Sequence, residues 1–409
     1  MNSEKKIRVL WITIEAPCIN VSHAGGQTIR YYYNQFKKCE KVELSLIFAE
    51  DGIQDEAVRK DLVDVNYKSF NKNASKLKKI INVESILNIW NRHAGFLSNF
   101  YAKEILRATR RYKEENYYPD AIILEATGIV LLAKEIKAIF PDAKLIASEH
   151  DVTFVGWSRK ATYFNGIKKL IWLEKYRVLK SKEIASLLEC DLVLPHNPDN
   201  CKLLEDEGID PKKIMALTPY FHDMSTIQRK SNQRDILFFG AMDRMENNLS
   251  AIWFIKNVMP IISSKNFRFI VLGNHPSEEL KLYASHNKNV IITGFVEDIN
   301  PYFEKAMCFV APLVLGAGIK VKVLEALSSG VPVLTNNIGI EGIHAQDGEE
   351  YFHCEKPEEY ANVIFDIANG LIDTKTVGRK ARDFMLTEYS PQKSAKRYIE
   401  KIIRLGEKL

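Results

Sequence analysis

The sequence predicts an α/β protein built from two doubly wound, Rossmann-like parallel-sheet domains. Three observations predict it. Short apolar runs alternate with longer amphipathic stretches from end to end, the runs are continuous rather than strictly alternating, and two complete sets of them flank one polar break. Continuous β-branched or aromatic runs are how strands read when a parallel sheet is covered on both faces, and the alternation is that of βαβ units. At 409 residues the chain exceeds one ordinary core, and it fits two domains of roughly 200 residues each.

In the first half, strands are predicted over residues 8–14, 42–48, 121–124, 144–148, 192–194 and 214–217. In the second half they are predicted over 235–239, 267–272, 290–293, 308–312, 331–335 and 351–353. Helical periods fill the gaps; the stretch 248–259 places Leu249, Ile252, Trp253 and Ile255 on one side. The polar segment 223–234 (DMSTIQRKSNQR) has no apolar periodicity and is the best break. Domains over 1–222 and 235–390 are therefore expected. A last helical stretch, 392–408, follows Pro391 after the second set is complete, so the segment 391–409 needs another place to dock.

A hydrophobic fraction of 46% and a charged fraction of 27% are those of a soluble globular chain. No run reaches about 18 uninterrupted apolar residues, so no membrane span is expected. The apolar stretch at the N-terminus ends at Glu15 and alternates like a strand, which argues against a signal peptide. Six cysteines without CxxC spacing or paired histidines read as reduced thiols, and a cytoplasmic setting is expected, with Cys308 in the core. The net charge of +5 is unevenly spread. One basic stretch holds Lys68, Lys72, Lys76, Lys78 and Lys79, and a second Lys103, Arg107, Arg110, Arg111 and Lys113. A third runs from Arg159 and Lys160 through Lys168, Lys169, Lys175, Arg177, Lys180 and Lys182. Such runs form solvated helix faces or meet anionic lipid head groups or a phosphorylated acceptor, which leaves peripheral contact at the inner membrane face open. No nucleic-acid motif accompanies the charge, so no nucleic-acid partner is expected.

The strongest chemical signal is APLVLGAGIKVKVLEALSSGVPVLTNNIGIEG, residues 311–342. A strand ends at Pro312, a loop carries Gly316 and Gly318, and a helix begins near Ile319 with Lys320 and Lys322 in its first turn. Cations are disfavoured at that end by the helix dipole. They make sense beside free backbone N–H groups if an anion such as a diphosphate rests on them. Glu325, about one turn further in, is placed to accept from the vicinal hydroxyls of a ribose. The alternative is an ordinary βαβ unit with a solvated, lysine-rich helix.

These residues resemble the donor-site signature of retaining glycosyltransferases of family 4. The resemblance lies in Gly316-Ala-Gly318-Ile-Lys320-Val-Lys322-Val-Leu-Glu325-Ala and in Ser329-Gly330-Val-Pro332-Val. It implies a GT-B fold, two Rossmann-like domains facing across a cleft, with the donor held by the second and a last helix crossing back to the first. It also implies transfer of a sugar from a nucleotide diphosphate donor with retention, no metal ion and no other cofactor. Many members carry an acidic residue eight positions before the Glu; here that position is Ala317.

Four further matches extend the resemblance. Residues 236–260 open like the family's donor domain, with Gly240 permitting close approach of a phosphate. Where many relatives have Arg and Lys, this chain has Ala241 and Glu246, closer to a G-x-M-D-x-x-x-N subgroup (Gly240, Met242, Asp243, Asn247), and Arg244 is expected to supply charge. Asn247 or Asn248 serves equally as a helix N-cap. His23-Ala-Gly25-Gly26-Gln27, ahead of a helix predicted over 28–38, is either a plain turn or a cleft-lining loop for a phosphate or acceptor. His150 follows the strand 144–148, where a family histidine approaches the sugar and the diphosphate, and Asp151 is expected to orient it. Downstream, Glu174 and Glu183 read as ion-paired surface groups. The nucleotide base is expected against Gly294, Phe295 and Val296, with Gly273 similarly placed at the previous strand end.

The resemblance thus implies His150, Asp151, Lys320 and Glu325 as catalytic groups. It implies a glycan or lipid-linked acceptor in cell-surface polysaccharide or glycoconjugate synthesis. Rival readings are a nucleotide-sugar epimerase or inverting enzyme of the same fold, and a non-catalytic sugar-nucleotide-binding partner subunit. A nicotinamide dehydrogenase is disfavoured because no G-x-G-x-x-G follows the first strand.

Overall fold

The computed structural model describes residues 5–18, 23–50, 60–71, 93–231 and 234–407. The basic residues Lys72, Lys76, Lys78 and Lys79, and Lys408 at the end of the expected last helix, lie outside them. The chain forms two compact units, residues 1–220 with 391–409, and residues 221–390. Both are parallel sheets wrapped by helices, the Rossmann-like α/β class the strand pattern predicts.

In the first unit the sheet runs β3-β2-β1-β4-β5-β6. Its strands are β1 (Ile7–Glu15), β2 (Val42–Glu50), β3 (Asn66–Asn71), β4 (Ala121–Glu125), β5 (Lys144–Glu149) and β6 (Leu192–Pro195). Central β1, Ile-Arg-Val-Leu-Trp-Ile-Thr-Ile-Glu, splits its apolar side chains between the two faces. Leu10 and Ile12 join one buried cluster, while Val9 and Trp11 join the other. Burying a large apolar side chain this completely is worth about 1.5–3 kcal/mol. The polar β3, which the sequence did not mark, sits at the edge, where only one neighbour has to be satisfied. The predicted strand 214–217 is not one. It makes a single bridge, Ile214 to Val193, and Met215 and Leu217 donate to the β6 carbonyls of Val193 and Pro195.

The C-terminal helix Pro391–Gly406 completes this first unit. Tyr398 packs edge-on against Tyr32 and Phe36, with centroids 5.6 and 5.0 Å away, and Tyr32 Oη donates to Ser394 Oγ. No helix among the described residues is long and apolar enough to cross a membrane.

The second unit repeats the topology. Its strands are β7 (Asp235–Phe239), β8 (Arg268–Leu272), β9 (Val290–Gly294), β10 (Cys308–Ala311), β11 (Val333–Thr335) and β12 (Phe352–His353). Their order, β9-β8-β7-β10-β11-β12, is that of the first sheet. In each sheet the order reverses beside the unit's first strand, between β1 and β4 and between β7 and β10. In open α/β sheets, ligands bind outside the carboxyl ends of the strands at such a switch point. The polar segment expected as a break runs along this second unit. Met224 N–H donates to Ser328 Oγ at 3.0 Å, and the Arg229 guanidinium holds the carbonyls of Phe303 and Ala306.

Candidate functional site

At the switch point of the second unit, the loop after β7 meets the loop after β10. Gly240 donates its N–H to the Leu272 carbonyl, and the amide of Met242 donates to the Asn274 carbonyl, so the loops after β7 and β8 are laced together. Gly273 extends the lacing by donating to the Gly294 carbonyl. Its φ is +152°, and a Cβ there would fall 1.9 Å from the Gly240 carbonyl oxygen, so only glycine fits. Phe295, one residue past β9, is exposed, and Val296 is half-buried. The helix Met245–Asn257 then begins, with exposed Arg244 as its N-cap residue. The apolar period 248–259 therefore begins three residues inside the helix.

The helix Val321–Ser329 opens opposite, with Lys320 at its N-cap and Lys322 in its first turn. Gly316 and Gly318 precede it with φ of +132° and +69°, and Gly330 closes it with φ of +70°. Their left-handed backbone needs glycine. Ile319, between them, is half-buried. The Lys322 ammonium bonds Asn247 Oδ1 and lies 4.8 Å from the centre of the Phe238 ring. A Cβ on Gly240 would come within 2.7 Å of it. Burial, then the charges of Arg244 and Lys320, push Lys322 down to about 7. Lys320 is buried, bonds the Gly318 carbonyl and pairs with Glu341 at 3.3 Å. Glu325, also buried, accepts the His222 N–H at 3.2 Å; burial lifts its carboxyl to about 7 against that hydrogen bond and the Lys322 charge. Arg244, Lys320 with its partner Glu341, and Lys322 thus gather where a helix N-terminus adds its own positive potential. That arrangement suits a dianion.

In the first unit, Gly25 and Gly26 belong to the helix Ala24–Lys37, not to a loop ahead of it. The reason is His23, whose Nδ1 accepts the Gly26 N–H at 3.0 Å and caps the first turn. That acceptor role leaves Nε2 to donate to Glu15 at 2.9 Å. The structure brings Gly25 and His150 together, since a Cβ on Gly25 would be 3.3 Å from His150 Nδ1. The other ring nitrogen, Nε2, donates to Glu125 Oε1 at 2.6 Å. Glu125 also accepts from Ser148 Oγ and Trp11 Nε1, each at 2.8 Å. The group that orients His150 through Nε2 is therefore Glu125, at the end of neighbouring β4. Asp151, expected in that role, is exposed and acts on the ring through its charge. Burial by itself would lower the His150 pKa, but the bond and charge of Glu125 outweigh it and raise it. His196 lies against the ring, centroids 4.6 Å apart, and its own pKa is driven well down by burial and by His150.

Glu183 corrects the surface reading. It is fully buried and accepts the N–H groups of Thr153 and Phe154, at 2.8 and 3.2 Å, at the start of the helix Thr153–Tyr163. Burial lifts it to about 8. Glu149 beneath it is raised as well, by burial and by the Glu183 charge, and accepts from Thr127 Oγ1. Glu174 does pair with Arg177, at 3.1 Å.

Comparison with known proteins adds to this geometry. Residues 233–369 match the family model of glycosyl transferases group 1. A 44.6 kDa protein from the cps region of Klebsiella pneumoniae is 25% identical over 213 residues, 50% of this chain and 54% of that one. The match thus spans about half the length of that curated relative. Among solved structures, sucrose-phosphate synthase from Thermosynechococcus elongatus superposes with a TM-score of 0.71 at 12% identity, covering 99% of this chain and 100% of the other. HepE from Anabaena, in complex with UDP and glucose, gives a TM-score of 0.65 at 11% identity, over 97% and 99%. At these identities the likeness is one of fold, and it places the two Rossmann-like units in the GT-B class. Gly240, Lys320, Lys322 and Glu325 all lie within residues 233–369, so the dianion-suited end of the helix Val321–Ser329 falls inside the matched segment.

Proposed function

We propose that the chain is a glycosyltransferase that takes a sugar from a nucleoside diphosphate donor and passes it to a glycan or lipid-linked acceptor with retention of configuration. The observation that carries this is the convergence of Arg244, Lys320 and Lys322 at one helix N-terminus beside Gly240, with Glu325 one turn further in. The diphosphate rests on the cations and on the amides at the helix start, and Glu325 accepts from the ribose hydroxyls. As the bond from sugar C1 to the diphosphate oxygen breaks, negative charge grows on the leaving group, and fixed cations stabilise that charge most where water is excluded. The acceptor hydroxyl bonds to C1 on the same face, and its proton passes to the departing phosphate oxygen. His150, held by Glu125 and facing Gly25, is the catalytic group assigned to the first unit.

The UDP complex of HepE makes UDP the first probe. The cps-region relative supports a role in capsule-like polysaccharide synthesis. The test is a thermal-shift panel of nucleoside diphosphates, followed by turnover of the matching sugar nucleotides. A ligand at 100 times its Kd adds about 2.7 kcal/mol to the folded state, a rise of several degrees. One diphosphate raising the midpoint in the wild type, and much less in Lys322→Gln, supports the reading. No shift with any of them overturns it.

A further inference from the structure

The helices Thr153–Tyr163 and Gly166–Leu188 form a hairpin in the first unit. The longer helix has a clear inward face, marked by buried Leu179, Glu183 and Leu187 at intervals of four. Its first turns break the pattern. Ile167, Leu170 and Ile171, spaced i, i+3, i+4, lie on the opposite side, and Ile167 and Leu170 are 77% and 65% exposed. Tyr163 and Leu173 beside them are close to half exposed. Trp172 packs edge-on against Trp157 at 5.9 Å, and the Lys160 ammonium lies 5.1 Å from the Trp172 ring centre. Elsewhere among the described residues, no more than two large exposed apolar side chains fall within any five consecutive positions. Isolated ones are ordinary; a contiguous group marks a contact surface.

Charge identifies the contact. From residue 152 to residue 173 there is no Asp or Glu, while Arg159, Lys160, Lys168 and Lys169 fall in the same stretch, the last two exposed. Apolar side chains with lysines and interfacial aromatics are the composition of a segment that lies in the head-group region of an anionic bilayer. A second copy of the same patch would bring Lys168 and Lys169 against their own like charges. We propose that the tip of this hairpin, residues 163–173, is a membrane-surface docking site that dips Ile167, Leu170 and Ile171 into an anionic leaflet.

The full chain is centrifuged with vesicles of phosphatidylcholine alone and with phosphatidylglycerol added. The wild type sediments with the anionic vesicles and far less with the neutral ones. Ile167→Asn, Leu170→Asn and Ile171→Asn together abolish sedimentation. Lys168→Gln with Lys169→Gln weakens it by about fivefold per lysine removed. Because these side chains belong to the first unit and the donor residues to the second, the UDP-induced thermal shift is unchanged in both variants, which also shows that they fold. Equal sedimentation of wild type and variants, or none with either lipid, overturns the proposal. So does a wild-type dimer in light scattering that the triple variant dissolves without any vesicle binding, since the patch then joins two copies. A chain that binds these vesicles but no nucleoside diphosphate would sink the transferase reading and leave this one standing.

Discussion

Lys322 gives the donor site a pH signature. Its ammonium is pushed down to about 7 by burial and by Arg244 and Lys320. A diphosphate resting on it removes that penalty and returns it toward the usual lysine value near 10.4. Binding then takes up a proton whenever the free protein lacks one, so the lysine's contribution to affinity is full below about pH 6 and is lost as pH rises through 7. With a free-state value near 7, the occupied fraction is roughly 0.9 at pH 6 and 0.1 at pH 8. Apparent affinity for UDP therefore falls about tenfold at pH 8 and about a hundredfold at pH 9. Titration calorimetry reads this directly, and repeating it at pH 8 in buffers of different ionisation enthalpy should show close to one proton absorbed per UDP. Glu325, raised to about 7, works in the other direction, since its carboxylate forms as pH rises, and it is flat in the alkaline range. In Lys322→Gln the alkaline fall should vanish, leaving weaker and pH-independent binding above pH 8. A fall that survives in Lys322→Gln, or a wild type with constant affinity from pH 7 to 9, refutes the argument.

Two other predictions rest on different contacts. Glu125→Gln keeps the size of the side chain but removes the charge on His150 Nε2, so the imidazole should titrate at lower pH by NMR, with turnover reduced about ten- to a hundredfold through loss of orientation; an unchanged histidine titration would show that Glu125 does not hold the ring. Gly273→Ala forces a Cβ to within 1.9 Å of the Gly240 carbonyl and should cost about 3 kcal/mol in urea unfolding, whereas Gly348→Ala, with φ of +76° and nothing within 4 Å, should cost only about 1 kcal/mol. Equal losses would mean that the loops give way freely.

What could be read from the chain alone followed burial. Runs such as Ile-Leu-Phe-Phe in β7 announce themselves because both faces of a parallel sheet must be apolar. β3, Asn-Tyr-Lys-Ser-Phe-Asn, lies at an edge, and its pairing is carried by backbone groups that leave no composition signal. Of the helix Ala24–Lys37 only the first turn is hidden in the sequence, because two glycines suggest a turn and only the His23 cap secures it. The cations at 320 and 322 were legible because lysine at a helix N-terminus defies the dipole. Glu125 was not. It ends an apolar strand, and nothing in the sequence says that His150 will arrive beside it from the next strand. Glu183 did leave a trace. It falls at the middle of the four-residue interval Leu179, Glu183, Leu187, so helical geometry put it on the buried face even though its neighbours are charged.

That same carboxylate ties two helices into a single folding event. The helix Thr153–Tyr163 follows Val152, which offers no side-chain cap, and its first two amides are taken by Glu183 instead. An eleven-residue helix is marginal without such help. It therefore cannot persist before the longer helix has docked, and its opening amides should exchange with solvent only when that partner lifts away. Hydrogen exchange would see the hairpin not as two neighbours but as one cooperative piece, opening whole or staying shut.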